Sequence, residues 1–369
     1  MGDGVTAQNT QDRKKYWRHW TDYCRQVKID PMFRGASDRF SLLAITSFAA
    51  RVRTGFYGNG ATVKVQTVTK ALAAISKTIE LAGGKSPIYV DHGVYTTPIQ
   101  RMIEGFRRQD PPAVAQLAVP VDVAHTALEA GLSSSDYKEQ AMGDLTCIAF
   151  YYLLRVGEYT KPRTVTKNGK KVRATRTVQF SAGNVGFWDE DGNAILHNAP
   201  LEKLLTAHSA TLKITNQKNG KMGQTIHHFC TKKATSPIKA LARRVHHIYK
   251  NGGTTDTLLC DYWDGNNEEF VSITSSDIRT LVRATVAYLK LETKGIDPSL
   301  VGTHSLRSGG AMALKLSGHD DTTIMKYGRW SSLTFTMYIH TQIAHIAKDV
   351  ALAMSNPLPF LNIAAIKTN

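Results

Sequence analysis

The stretch from Asp110 to Pro120 (DPPAVAQLAVP) does most to limit what this 369-residue chain can fold into. It holds prolines at 111, 112 and 120 and no apolar spacing of helical period. Proline lacks a backbone N–H and fixes φ, so neither a helix interior nor a central strand runs through such a segment. It reads as an extended linker and domain boundary, and the length of the chain agrees with two domains.

Before that boundary the pattern is helical. Asp12 to Gln26 puts Tyr16, Trp20 and Tyr23 on one face. Ser37 or Asp38 caps a second run to Arg53, with Phe40, Leu43, Ala44 and Phe48 expected inward. A third helix fits Thr62 to Ala82, closed by Gly83 and Gly84. The fourth spans Thr97 to Arg108, with Pro98 in its first turn. Four helices in about 100 residues make a small bundle. The basic residues Arg51, Arg53, Lys64, Lys70, Lys77, Arg101, Arg107 and Arg108 are expected on its surface, as phosphate contacts or as ordinary solvated charge.

After the boundary, helices fit Val121 to Leu132 and Ser135 to Leu154. The second is apolar and ends in Leu-Leu-Arg-Val-Gly-Glu, where Arg155 and Glu158 lie at i and i+3; an arginine entering a core needs an anionic partner. Residues 163–230 change character. Asn168-Gly169, Asp191-Gly192 and Asn219-Gly220 are hairpin turn signals between alternating stretches, so a small antiparallel sheet with basic tips is expected, and Lys213, Lys218 and Lys221 crowd the last tip. Helical patterns resume at Ser236 to Tyr249 and Ser275 to Leu289. The fold class is therefore mainly α with a small antiparallel β-sheet. The expected divisions are a flexible 1–11, a helical domain 12–110, a linker 111–120, a second domain 121–345 and a tail 346–369.

The formal charge of +16 points to a polyanion as partner, nucleic acid first. The four cysteines lack metal-ligand spacing, and no apolar run approaches a membrane span, so an intracellular protein without membrane, metal or cofactor is expected. Walker-type loops, the His-Glu-x-x-His zinc pattern and a nucleophile elbow are absent from the sequence. Asp320-Asp321 offers too few carboxylates for two-metal chemistry.

The densest chemistry lies in Gly302 to His340. His304 and Arg307 share a face if a helix begins there, with Thr303 as its N-cap. Arg329, Trp330 and Tyr338 follow. Arginine forks match phosphate oxygens, histidine moves protons near neutral pH, and tyrosine can attack phosphorus. An ordinary amphipathic helical segment is the alternative reading of this stretch alone.

In chain order Arg155, Lys218, His304, Arg307, Trp330 and Tyr338 resemble the active-site set of the tyrosine recombinases (phage-type integrases), whose chemistry type IB topoisomerases share. Leu-Leu-Arg-Val-Gly-Glu looks like the first box, Thr-His-Ser-Leu-Arg-Ser-Gly the second, and Gly-Arg-Trp with Met-Tyr-Ile-His the third. The wording of the last two looks closest to the eukaryotic Crypton-like branch. The motifs cover about 120–345; the N-terminal bundle matches in architecture only.

The resemblance implies an N-terminal helical core-binding domain and an α+β tyrosine-recombinase catalytic domain. It implies double-stranded DNA as partner, a homotetramer on DNA (monomer or dimer when free), and a nuclear location in a eukaryote. Tyr338 would be the nucleophile, Arg155 and Arg307 the phosphate clamps, Lys218 the acid for the leaving oxygen and His304 a proton or positioning group. Trp330 would support the phosphate, Glu158 would orient Arg155 from behind, and Arg329 would stand behind the reacting groups as well; Lys213 and Lys221 join the DNA contacts. Lys213, Lys221 and Lys167 remain alternatives to Lys218. The family commonly leaves nine residues from the His/Trp position to the tyrosine, which fits Arg329; Trp330 lies eight away. Trp330 is the preferred reading. A relaxing topoisomerase and a DNA-binding protein without catalysis are the rival functions.

Overall fold

Apolar residues at three- and four-residue spacing dictate a helical start, and Thr6 and Ser37 open two of the runs with side chains that accept free N–H groups. The computed structural model describes residues 6–336 except 92, 113–115, 168, 216–222, 232, 334 and 335. Its contacts divide the chain into two units, Met1–Val114 with Arg163–Arg176 and Ala115–Pro162 with Thr177–Asn369.

In the first unit, α1 (Ala7–Val27) begins earlier than Asp12 because Thr6 Oγ1 accepts from the Asn9 N–H. The helix α2 (Asp38–Arg53) carries the expected Ser37 cap, α3 (Val65–Leu81) follows, and α4 (Thr97–Gln109) has its proline in the first turn. A hairpin that alternation did not reveal, β1 (Tyr89–Asp91) with β2 (Val94–Tyr95), precedes α4. Trp20, Ile45, Phe48, Leu72, Ile75 and Ile79 form the core, and the buried Trp20 indole donates to the Pro31 carbonyl.

Two inward assignments are corrected. Phe40 and Leu43 are 46% and 62% exposed, because the buried stripe of α2 runs through Ser41, Ile45, Phe48 and Val52. At about 100° per residue, Leu43 falls on the opposite side.

The hairpin β3 (Thr164–Lys167) and β4 (Lys170–Arg173) also belongs to this unit. Gln11 Nε2 donates to the Thr166 carbonyl at 2.8 Å, and the Gln8 N–H to the Ala174 carbonyl at 3.2 Å. These bonds fasten the hairpin to α1.

The second unit is built around α6 (Tyr137–Tyr151), in which every residue from 143 to 150 is buried. Such a helix must be covered on all sides. Packed with it are α5 (Val121–Leu132), α9 (Pro237–Lys250), α10 (Ser275–Tyr288) and α11 (Thr303–Leu316). Among the described residues, short α7 (Val156–Tyr159) and α8 (Leu201–Leu205) and the later α12 (Asp321–Gly328) complete the α-helices. One sheet has the antiparallel order β6 (Ala194–Ile195), β5 (Val185–Trp188), β7 (Ser209–Lys213), β8 (Thr225–Phe229). Lys213 pairs with Thr225. A separate hairpin, β9 (Asp261–Asp264) with β10 (Glu269–Ser272), was not foreseen.

The helix expected to reach Leu154 stops at Tyr151, where Leu153 turns to φ +47°. Among the described residues no helix is long and apolar enough to cross a membrane.

Candidate active site

Two glycines bring α11 against α6. A Cβ on Gly309 would strike the Val119 carbonyl and the Phe150 ring; one on Gly310 would strike the Phe150 carbonyl. Only a bare backbone allows this approach, and it lodges Arg307 beneath the end of α6. The N-cap of α11 is Gly302 rather than Thr303, and its N–H donates to Ser305 Oγ at 3.0 Å.

Where α6 ends, Arg155 becomes the N-cap of α7 instead of the terminal residue of an apolar helix. Glu158, three residues on, is 2% exposed. Its Oε2 accepts the Arg155 N–H at 2.8 Å, and its Oε1 lies 3.3 Å from Arg155 Nη1. Arg329 completes the carboxylate's contacts as a two-pronged fork, Nη1 to Oε1 and Nη2 to Oε2, both at 2.9 Å.

Local geometry on the other side explains how Arg329 arrives. It is the C-cap of α12 at φ +57°, and a Cβ on the preceding Gly328 would overlap the Trp330 ring. The left-handed conformation costs a non-glycine residue on the order of 1–2 kcal/mol. A hydrogen bond to a charged group returns about 1.5–3 kcal/mol, so the two from Arg329 outweigh the strain.

The second left-handed residue serves the same cluster. The Leu153 carbonyl accepts from Arg307 Nη1 and, at 3.2 Å, from Arg329 Nη2. Arg307 Nη2 donates to the Gly328 carbonyl, and Arg155 Nη2 to the Arg329 carbonyl at 3.4 Å. Among the described residues these three guanidiniums share one carboxylate and three main-chain carbonyls. Burial raises the Glu158 pKa, but the charge and hydrogen bonds of Arg329, then those of Arg155, hold it below the usual carboxylate range.

Accessibility separates the members. Arg307 is 1% exposed and lies under the Trp330 ring, its guanidinium carbon 4.3 Å from the centroid. Arg155 and Trp330 are half-buried, and His304 is exposed. Partial desolvation, then the charges of Arg307 and Arg155, lower the His304 pKa and so favour its neutral imidazole. The arrangement offers an incoming anion Arg155 and His304 at the surface, with further cations behind.

The structure therefore brings together Arg155, Glu158, His304, Arg307, Arg329 and Trp330. Lys218, Lys221 and Tyr338 lie outside the described residues, as do the Asn219-Gly220 turn and the tail 346–369. Lys213 is described and exposed. Sequence reasoning missed the Leu153 and Gly328 carbonyls; a carbonyl leaves no residue-type signal, and leucine gives none for a positive φ. Asp320 caps α12, and Asp321 pairs with Lys315 at 2.7 Å. Among the described residues no group of three or more potential metal ligands occurs.

In the first unit, Lys64, Lys70, Arg101, Arg107 and Arg108 are exposed. Arg51 is half-buried, bonded to Gln26 Oε1 at 2.6 Å and set against the Tyr23 and Phe56 rings. The expectation of an exposed Arg53 is corrected. It is 6% exposed, donates to the Asp110 carboxylate and the Val63 carbonyl, and so ties α2 to the end of α4.

No protein-family model matches the chain, and no curated protein does. Solved structures similar to it include that of XerA recombinase, at 14% identity over 97% of this chain and 95% of that one, with a TM-score of 0.37. XerH site-specific recombinase bound to palindromic difH substrate, in a post-cleavage complex, gives 14% identity, 84% and 72% coverage and 0.47. The Tn1549 transposon integrase in complex with transposon right end DNA gives 10%, 85% and 85%, and 0.43.

Proposed function

We propose that the protein is a tyrosine-type DNA strand-breaking and rejoining enzyme, a site-specific recombinase of a Crypton-like mobile element. The observation that carries this reading is the cluster itself. Arg155, Arg307 and Arg329 converge on Glu158 and the Leu153 turn, with His304, its neutral form favoured, beside them. Fixed guanidinium charge is what a phosphodiester needs as negative charge grows on its non-bridging oxygens.

In the proposed reaction the Tyr338 hydroxyl oxygen attacks the scissile phosphorus. The new bond is a 3′-phosphotyrosine; the bond broken is that to the 5′ oxygen, which leaves as a hydroxyl protonated by Lys218. His304, whose neutral form its surroundings favour, takes or positions the tyrosine proton. Arg155 and Arg307 hold the phosphate. Trp330 covers Arg307 and supports the phosphate, while Arg329 is committed to Glu158 and acts on Arg155 from behind. Reversal with another strand's 5′-hydroxyl rejoins the DNA, and the energy of the bond is kept in the protein link. Four subunits on two duplexes would complete an integration or excision.

A suicide duplex, nicked so that the 5′ fragment diffuses away, tests this. Wild type is expected to form a covalent adduct, and Tyr338→Phe none. No adduct with wild type, or an equal one with the variant, defeats the reading. Relaxation of supercoiled DNA without four-way junctions would instead favour a topoisomerase-like activity.

A further inference from the structure

The hairpin β3–β4 has no place in the chemistry above, yet it is among the most basic parts of the chain. From Arg163 to Arg176 it carries no acidic residue. Alternation and register put Lys171 and Arg173 on one face, opposite Thr166 and Thr164. Lys170 closes the turn side of β4, and all three cations are exposed.

This face does not stand alone. Thr166, whose carbonyl holds Gln11, lines a cleft of about 520 Å³ together with Lys14, Lys15 and Arg18 of α1. Those three are exposed as well. None of the six cations forms an ion pair among the described residues, and Asp12, the one carboxylate in the cleft, is held by Gln8 Nε2 at 2.9 Å. The bonds from the Gln8 main-chain N–H and the Gln11 side-chain amide to hairpin carbonyls fix the two sets of cations relative to one another.

We infer that α1 and the β3–β4 hairpin form one composite surface that grips the phosphate backbone of duplex DNA, independently of base sequence. The inference rests on the DNA reading above, and extends it to a second site. Unpaired cations on anchored elements suit backbone neutralisation, which supplies affinity without reading bases. A Lys-Lys-Val-Arg run also fits an import signal. Import receptors take such a run as a free extended chain, whereas here it is paired in a ladder.

The test measures binding of the full-length protein to a labelled duplex of arbitrary sequence across a salt series. The variants are K170Q/K171Q/R173Q and, separately, K14Q/K15Q/R18Q. Each is expected to bind at least about ten-fold more weakly at low salt, with the salt slope shallower by about 2–3, near 0.9 per lost phosphate contact. Unchanged thermal melting checks the fold, and adduct yield on the suicide duplex at saturating protein is expected to match wild type. Wild-type affinity and slope in both variants overturn the proposal, as does lost nuclear entry with DNA binding intact. If no protein forms an adduct, the recombinase reading fails while the salt series still decides this surface.

Discussion

Two regions of the molecule concentrate arginine and lysine, and they handle charge in opposite ways. Around Glu158 two of the three guanidiniums, those of Arg307 and Arg329, are buried, and the bonds of the cluster go to a carboxylate and to carbonyls that two left-handed residues turn inward. On α1 and the β3–β4 hairpin the cations are exposed, and only the backbone beneath them is held. Buried charge demands specified partners because desolvation is costly; exposed charge is cheap to place and acts through its field. The first arrangement suits one phosphate in one pose, and the second suits many phosphates in any register.

The largest expected effect comes from breaking the buried region. Glu158→Ala leaves Arg329 charged and without its carboxylate, which should destabilise the protein by about 3–5 kcal/mol. Urea unfolding measures it, and a loss below about 1 kcal/mol would mean that the carbonyls alone hold the cluster.

Acid sharpens the same point with a smaller change. A carboxylate with a depressed folded pKa contributes stability in full above its unfolded value of about 4.3, and loses it as pH falls through the folded value. The gap in stability between wild type and Glu158→Gln should therefore be widest at neutral pH and shrink below about pH 4. A gap independent of pH would rule out a charged Glu158.

The smallest effect belongs to the exposed region. Lys170→Gln should move stability by no more than about 0.5 kcal/mol, as read by thermal melting, even where it weakens DNA binding.

The same contrast governs what could be read from the sequence. Arg155, His304, Arg307 and Trp330 are legible because cations and a tryptophan stand out in apolar helical stretches, and Glu158 follows as the anion such an arginine needs. Whether Arg329 or Trp330 fills the phosphate-supporting position was open between two registers, since one residue turns a helix by about 100°, and the fork from Arg329 to Glu158 left no signal in the sequence. The Leu153 turn was invisible, because it depends on packing of α6 against Gly310. Arg53 resembled a surface cation until its partner, 57 positions on, came into view. The hairpin at 163–176 was legible as a hairpin but not as part of the first unit. Its attachment runs through backbone atoms of Thr166 and Ala174, which any residues could supply.

That attachment bears on how the protein can be taken apart. The chain leaves the first unit near Val114, returns for Arg163–Arg176, and leaves again. Scission in the proline-rich segment would thus release no independent N-terminal fragment, because the hairpin remains latched to α1 from the other piece. A gene cut at that segment makes two incomplete products: one lacks a strand pair that covers Gln8 and Gln11, and the other carries that pair with nothing to dock on. Coexpressed halves, by contrast, bring their own fastener.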